Sequence, residues 1–156
     1  MSDEQFMRLA IRRAMEGVEE DQSPFGAVIV RGGQVLAADH NIVWRSTDPT
    51  AHAEVHAIRN ACRAAGTIDL SGSTLYATCE PCPMCFAAIH WARIDRIVFG
   101  AVIADAQGCG FRELTLSNEQ MKSLGGSSVQ IVGGFLREEC VEVFRRFERR
   151  PGRRLY

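Results

Sequence analysis

Thr50-Ala51-His52-Ala53-Glu54, followed about one βα unit later by Cys79-Glu80-Pro81-Cys82-Pro83-Met84-Cys85, is the stretch that decides how this chain is read. A histidine and two cysteines supply three zinc ligands. Three protein ligands leave a fourth position open to water, the mark of a catalytic rather than a structural zinc. Cys82 and Cys85 are three residues apart, so in a first helical turn they face the same way. The N-terminus of a helix carries partial positive charge and free amide donors. Both favour the thiolate, the form a zinc ligand must take. Pro81 and Pro83 suit such a start, because first-turn amides have no intrahelical acceptor in any case. His52 and Glu54 are two apart and would point to opposite sides of a helix interior. At the very start of a helix they can converge on one point beyond its end. The spacing therefore predicts two helix N-termini meeting at one zinc per chain, held by His52, Cys82 and Cys85. Glu54 is then placed to handle the protons of the water.

Outward from this pair, hydrophobic spacing predicts a helix from Ser2 to about Gly17. The apolar run Gly26–Arg31 is a buried strand, Gly32-Gly33 a hairpin turn, and Gln34–Val43 the return strand. A helix runs from Thr50 to about Ala65 and ends at Gly66. Ser73–Thr78 is a strand, Pro81 to about Arg93 a helix, Arg96–Ala101 a strand, Val129–Val132 a fifth strand, and Arg137 to about Arg149 a final helix. Strands interleaved with helices indicate an α/β fold, a three-layer α/β/α arrangement around a central five-stranded mixed sheet. The first two strands are antiparallel, and both ligand-bearing helices start at one sheet edge, where ligand sites in open α/β folds lie.

The 156 residues fit one domain, residues 1–156, and a 46% hydrophobic content suffices for a core. No apolar run approaches a membrane span, and the acidic start Met1-Ser2-Asp3-Glu4-Gln5 is unlike a secretory signal. Six cysteines in such a chain favour reduced thiols and metal binding over a disulfide framework, and a cytoplasmic location is expected. Residues 145–156 hold six arginines and one acid, a net +5, so the other 144 residues carry −6 against a whole-chain −1. That tail is either a phosphate-touching segment or a solvated helix end with well-placed cations.

Other readings of these residues exist. A lone C-x-x-C can be a redox pair, although here a His-x-Glu lies upstream. A structural zinc needs a fourth ligand, for which Cys79 and Cys62 are the candidates. His56 follows His52 by four, but the zincin motif needs its glutamate directly after the first histidine, where Ala53 stands. His40, His90, Cys109 and Cys140 read as packing residues, as do Trp91 and, with its nearness to the site left open, Trp44. A zinc-bearing binding module without catalysis requires Glu54 to be idle.

The H-x-E…P-C-x-x-C order is that of known zinc-dependent nucleobase deaminases. The chain resembles the cytidine deaminase-like superfamily, and within it the bacterial guanine deaminases. The resemblance rests on Pro24-Phe25-Gly26-Ala27-Val28, Asn41, Asp48 to Glu54, Cys79 to Cys85, and Trp91-Ala92-Arg93. It implies hydrolytic deamination of guanine to xanthine, a small purine base as substrate, and a homodimer. Glu113, after Gly110-Phe111, falls at the family's second proton-relaying acid. Phe25, Asn41, Ala53 and Tyr156 would be base-binding, and the C-terminal segment ending in Tyr156 would close over the partner subunit's site. Gly133-Gly134-Phe135-Leu136-Arg137-Glu138-Glu139-Cys140 and the basic tail are more similar to the tRNA adenosine deaminases, whose substrate is an anticodon adenosine. Phe25 and Cys79, where those enzymes usually carry a smaller aliphatic and a leucine, favour the free base, as does a body too acidic for polyanionic RNA. Pyrimidine deaminases of the superfamily are a third possibility.

Overall fold

A computed structural model describes residues 1–156. The elements run α1 (Asp3–Glu19), β1 (Gly26–Arg31), β2 (Gln34–His40), α2 (Val43–Ser46), α3 (Ala53–Ala65), β3 (Ser73–Cys79), α4 (Pro83–Trp91), β4 (Arg96–Ala101), α5 (Ile103–Gly108), α6 (Asn118–Gly125), β5 (Gln130–Val132) and α7 (Arg137–Glu148). The five strands form one mixed sheet in the order β2-β1-β3-β4-β5. β1 is antiparallel to both β2 and β3, whereas β3, β4 and β5 are parallel. The expected three-layer architecture is therefore the observed one.

Side chains alternate across the sheet and divide the core in two. Val28, Val30, Tyr76 and Val98 point to one face, against Phe6, Met7 and Ala10 of α1 and Val143, Phe144 and Phe147 of α7. Ala27, Ile29, Leu75, Ala77, Ile97 and Phe99 point to the other, against Ala53, Ala57 and Ala61 of α3 and Phe86 and Ile89 of α4. Burial on both faces explains why β1, β3 and β4 read as continuous apolar runs. Glycine sets the separation of the layers. A Cβ at Gly26 would overlap the Ala10 carbonyl of α1, and one at Gly100 would overlap Cys140 of α7.

Several element bounds differ from the sequence expectation, each for a local reason. α1 continues past Gly17 to Glu19, because that glycine lies inside the helix under His40 and a Cβ there would come within 2.9 Å of the imidazole. β2 ends at His40 rather than Val43. Asn41 leaves the ladder, donating its N–H to the Phe25 carbonyl, and its side-chain oxygen accepts the N–H of Val43 at 3.0 Å to open the short α2. α3 starts at Ala53 and α4 at Pro83, with His52 and Cys82 as extended cap residues. α5 and α6 have only 6 and 8 residues, too few to register as a period.

Candidate active site

The site forms at the edge of the sheet where β3 ends and β1 begins. His52 caps α3 and Cys82 caps α4, so both side chains project beyond their helix ends and Cys85 joins from the first turn of α4. The loop entering His52 is fixed by Asp48, whose carboxylate accepts from the Thr50 backbone at 2.8 Å and its hydroxyl at 2.6 Å. His52 Nδ1 lies 3.6 Å from Cys82 Sγ and 3.5 Å from Cys85 Sγ, and all three donor atoms fall within 4.8 Å of one another. Tetrahedral zinc, with bonds of about 2.3 Å to sulfur and about 2.0–2.1 Å to nitrogen, gives an N···S edge of about 3.6 Å. The donor set and its spacing thus fit zinc with one coordination position left open. No fourth protein ligand completes the group: Cys79 is close but donates to the Val102 carbonyl at 3.6 Å, and Cys62 lies on α3 away from the site.

The electrostatics of the cluster suit a metal centre. A hydrogen bond from Cys85, and after it the His52 imidazole, lowers the Cys82 thiol to about 4. Cys85 is held up by that same bond and by burial. Glu54, in the first turn of α3 and 8% exposed, is raised to about 7 by burial and then by the charge of Cys82. Burial likewise raises Glu113, which the loop between α5 and α6 carries to the site.

Tyr156 lies across the opening. It stands 5.7 Å from the His52 ring and 5.6 Å from Phe111, centroid to centroid, and its hydroxyl accepts from Asn41 Nδ2 at 2.8 Å. Behind it is a cavity of about 20 Å³ lined by Phe25, His52, Glu54, Cys79, Glu80, Cys82, Glu113 and Tyr156. That is room for about one water molecule. In front is a cleft of about 220 Å³ that reaches His52, Cys82, Phe111 and Glu113 and is walled by Pro49 and Met84. Phe25 meets Phe111 edge-on at 5.0 Å. The expected residues His52, Glu54, Cys82, Cys85, Phe25, Asn41, Glu113 and Tyr156 are thus gathered in one place. Ala53 is not among the lining side chains. It is fully buried in the α3–α4 core, so only its backbone faces the site region. Phe111 and Trp44, the latter edge-on to Tyr156 at 6.1 Å, are contributors that spacing alone gave no means of finding.

Within the chain described, contacts with α1, α2 and the 109–117 loop hold the tail in this position. Arg150 donates to Asp21 at 2.9 Å and to the Glu19 carbonyl at 2.8 Å. After a turn at Gly152, Arg154 lies 4.4 Å over the Trp44 ring, and Arg112 donates its N–H to the Tyr156 carbonyl at 3.2 Å. Arg145 and Arg149 pair with Glu142, and Arg146 with Glu19. Four of the six tail arginines are therefore paired with acids of the same chain.

Residues 1–101 match the family described as the cytidine and deoxycytidylate deaminase zinc-binding region. The guanine deaminase of Bacillus subtilis is 46% identical over 120 residues, covering 76% of this chain and 77% of that protein. The tRNA-specific adenosine deaminase of the same organism is 40% identical over 138 residues, covering 88% and 83%. Among solved structures, guanine deaminase from Nitrosomonas europaea superposes with a TM-score of 0.87 at 27% identity, covering 94% of this chain and 85% of that one. With a zinc-ready His-Cys-Cys cluster, a buried glutamate beside it and this match over most of its length, the chain belongs to the cytidine deaminase-like family and is a zinc-type nucleobase or nucleoside deaminase.

Proposed function

We propose that the substrate is a free purine base, guanine first, converted with water to xanthine and ammonia. The observation that carries this is the size of the cleft in front of Tyr156, which reaches the metal ligands His52 and Cys82. At about 220 Å³ it is below the range of about 300–1,000 Å³ for drug-sized ligands, which suits one flat heterocycle better than a base joined to sugar and phosphate. His52, Cys82 and Cys85 would hold the zinc, which when bound would supply a Lewis acid able to lower the pKa of water at its open position. Glu54 accepts one proton of the attacking water and passes it to the ring nitrogen, then takes the remaining hydroxyl proton, the second, which goes to the departing amine. The water oxygen forms the new bond to the amino-bearing carbon, and the carbon–nitrogen bond breaks as ammonia leaves. Phe25 and Phe111 offer apolar walls to the ring faces. Asn41 Nδ2 carries a second hydrogen besides the one it gives Tyr156, available to an acceptor on the base. Glu113, raised above the ordinary carboxylate range by its burial, relays that second proton toward the exocyclic amine.

The rival substrate is the anticodon adenosine of a tRNA, supported by relatives that match 88% or more of this chain. Against it stands the pairing of the tail arginines with Glu19, Asp21 and Glu142, which leaves few of them free for phosphate. Ammonia release across guanine, adenine, cytosine, their nucleosides and a tRNA anticodon stem-loop decides the matter. Xanthine from guanine is the expected product; inosine in the stem-loop with no xanthine from guanine would assign the tRNA role instead. The same reading makes the protein a cytoplasmic homodimer of purine metabolism, in which the tail covers its own site or exchanges with that of the partner.

A further inference from the structure

Glu80 stands between the end of β3 and the cysteine loop, and the chemistry above gives it no task. Its carboxylate accepts two backbone N–H groups, that of Ile103 at 3.4 Å on one oxygen and that of Asn118 at 2.9 Å on the other. These amides belong to the first residues of α5 and α6. They mark the two ends of the 103–118 excursion, whose middle brings Phe111 and Glu113 to the cleft. First-turn amides lack intrahelical acceptors, and a carboxylate is favoured beside them. The base of the excursion is tied again where the fully buried Asn118 donates to the Pro81 carbonyl at 2.6 Å. Glu80 is itself anchored through its N–H to the Ala101 carbonyl at 2.8 Å. One side chain thus joins both ends of the segment that carries the second acid.

We propose that Glu80, which also lines the small cavity with Glu54 and Glu113, is a positioning residue for Glu113: by closing the 103–118 excursion at its base it sets where the Glu113 carboxylate stands in the cleft. The proposal rests on Glu113 taking part in proton transfer. A carboxylate has two oxygens for two donors, whereas an amide offers one oxygen and turns an N–H toward the other donor. Glu80→Gln therefore releases one end of the excursion. Since misplacement by about 1 Å can cost about 100-fold, a drop of about 10- to 100-fold in kcat with KM little changed is expected.

Three measurements test this on the purified, zinc-loaded protein. Zinc content of Glu80→Gln should equal that of the wild type; loss of metal would mean that Glu80 acts through the cysteine loop and would overturn the proposal. Glu80→Gln in a Glu113→Gln background should cost little beyond Glu113→Gln alone, because both act through one group; full additivity would overturn it. Hydrogen exchange should quicken in residues 109–117 in Glu80→Gln, and unchanged exchange there would also overturn it. If Glu113→Gln alone leaves turnover intact, the role given to Glu113 fails, while the exchange result still reports whether Glu80 sets the loop. Glu80→Asp, one methylene shorter and unable to reach both amides, replaces the glutamine variant should that one not fold.

Discussion

Glu54 shows most directly how one side chain takes its properties from its place. Burial raises it to about 7, where a carboxyl group can both accept and return a proton near neutral pH. Glu54→Gln keeps the shape and removes that capacity. Zinc should stay bound while ammonia release falls by about two to four orders of magnitude, the usual range for general acid–base help. Retention of more than a tenth of wild-type turnover, with metal confirmed by elemental analysis, would point to Glu113 as the base. The metal ligands and Glu54 were legible in the sequence because their chemistry is tied to spacing at two helix starts. Glu80 and Phe111 were not, because their roles come from contacts between segments distant in sequence; Trp44 stood open by its nearness to the site, and it meets Tyr156 there. Ala53 is named by the resemblance, and its methyl is fully buried in the same core cluster as Phe86.

At the level of elements, the strands were the easiest part to read, since burial on both faces makes each a compact apolar run bounded by turn residues. The connections were harder. β2 was drawn three residues too long because Ile42 and Val43 continue its apolar character, while Asn41 ends it by capping its own chain. α1 carries a further test. Asp3 accepts from Arg96 at 2.8 Å and from the Tyr76 hydroxyl at 2.7 Å, pinning the start of the helix to β4 and β3. The Arg96 bond first, and then that of Tyr76, lowers the Asp3 carboxyl below its ordinary value. A lowered carboxyl stabilises the fold above its unfolded value of about 3.9, and that contribution fades as pH falls through the folded value. The carboxylate is 40% exposed, so solvent limits the effect to about 1 kcal/mol, or about 2–4 °C in a chain of this size. Asp3→Asn should melt lower than the wild type by that amount at pH 7, and the difference should shrink steadily as pH falls below the unfolded value of about 3.9; a deficit that does not shrink on acidification would show that charge is not its source.

For the molecule as a whole, the chain end closes onto the site through contacts gathered from α1, α2 and α7. Arg150 is the strongest of these on geometry, holding both Asp21 and the Glu19 carbonyl. Arg150→Ala should leave stability nearly unchanged, because exposed pairs contribute about 0–1 kcal/mol. It should lower kcat/KM for the small base by about tenfold, equivalent to about 1.4 kcal/mol of lost closure. Unchanged kcat/KM would mean that Tyr156 is seated without the arginine. From sequence alone the basic tail could be read as a grip on phosphate or as a solvated helix end. Besides Glu142 within α7, its partners Glu19 and Asp21 lie more than a hundred residues away, and nothing local to the tail announces them. These pairs sit at the surface, within reach of bulk electrolyte whose screening length is about 8 Å at physiological ionic strength. Added electrolyte therefore loosens the protein's own closure, and turnover of an uncharged base should drift with ionic strength even though that base has no charge to screen. A steep response to potassium chloride, ordinarily taken as the fingerprint of a polyanionic ligand, is here partly a property of the enzyme alone, and any RNA curve needs the neutral-base curve as its baseline.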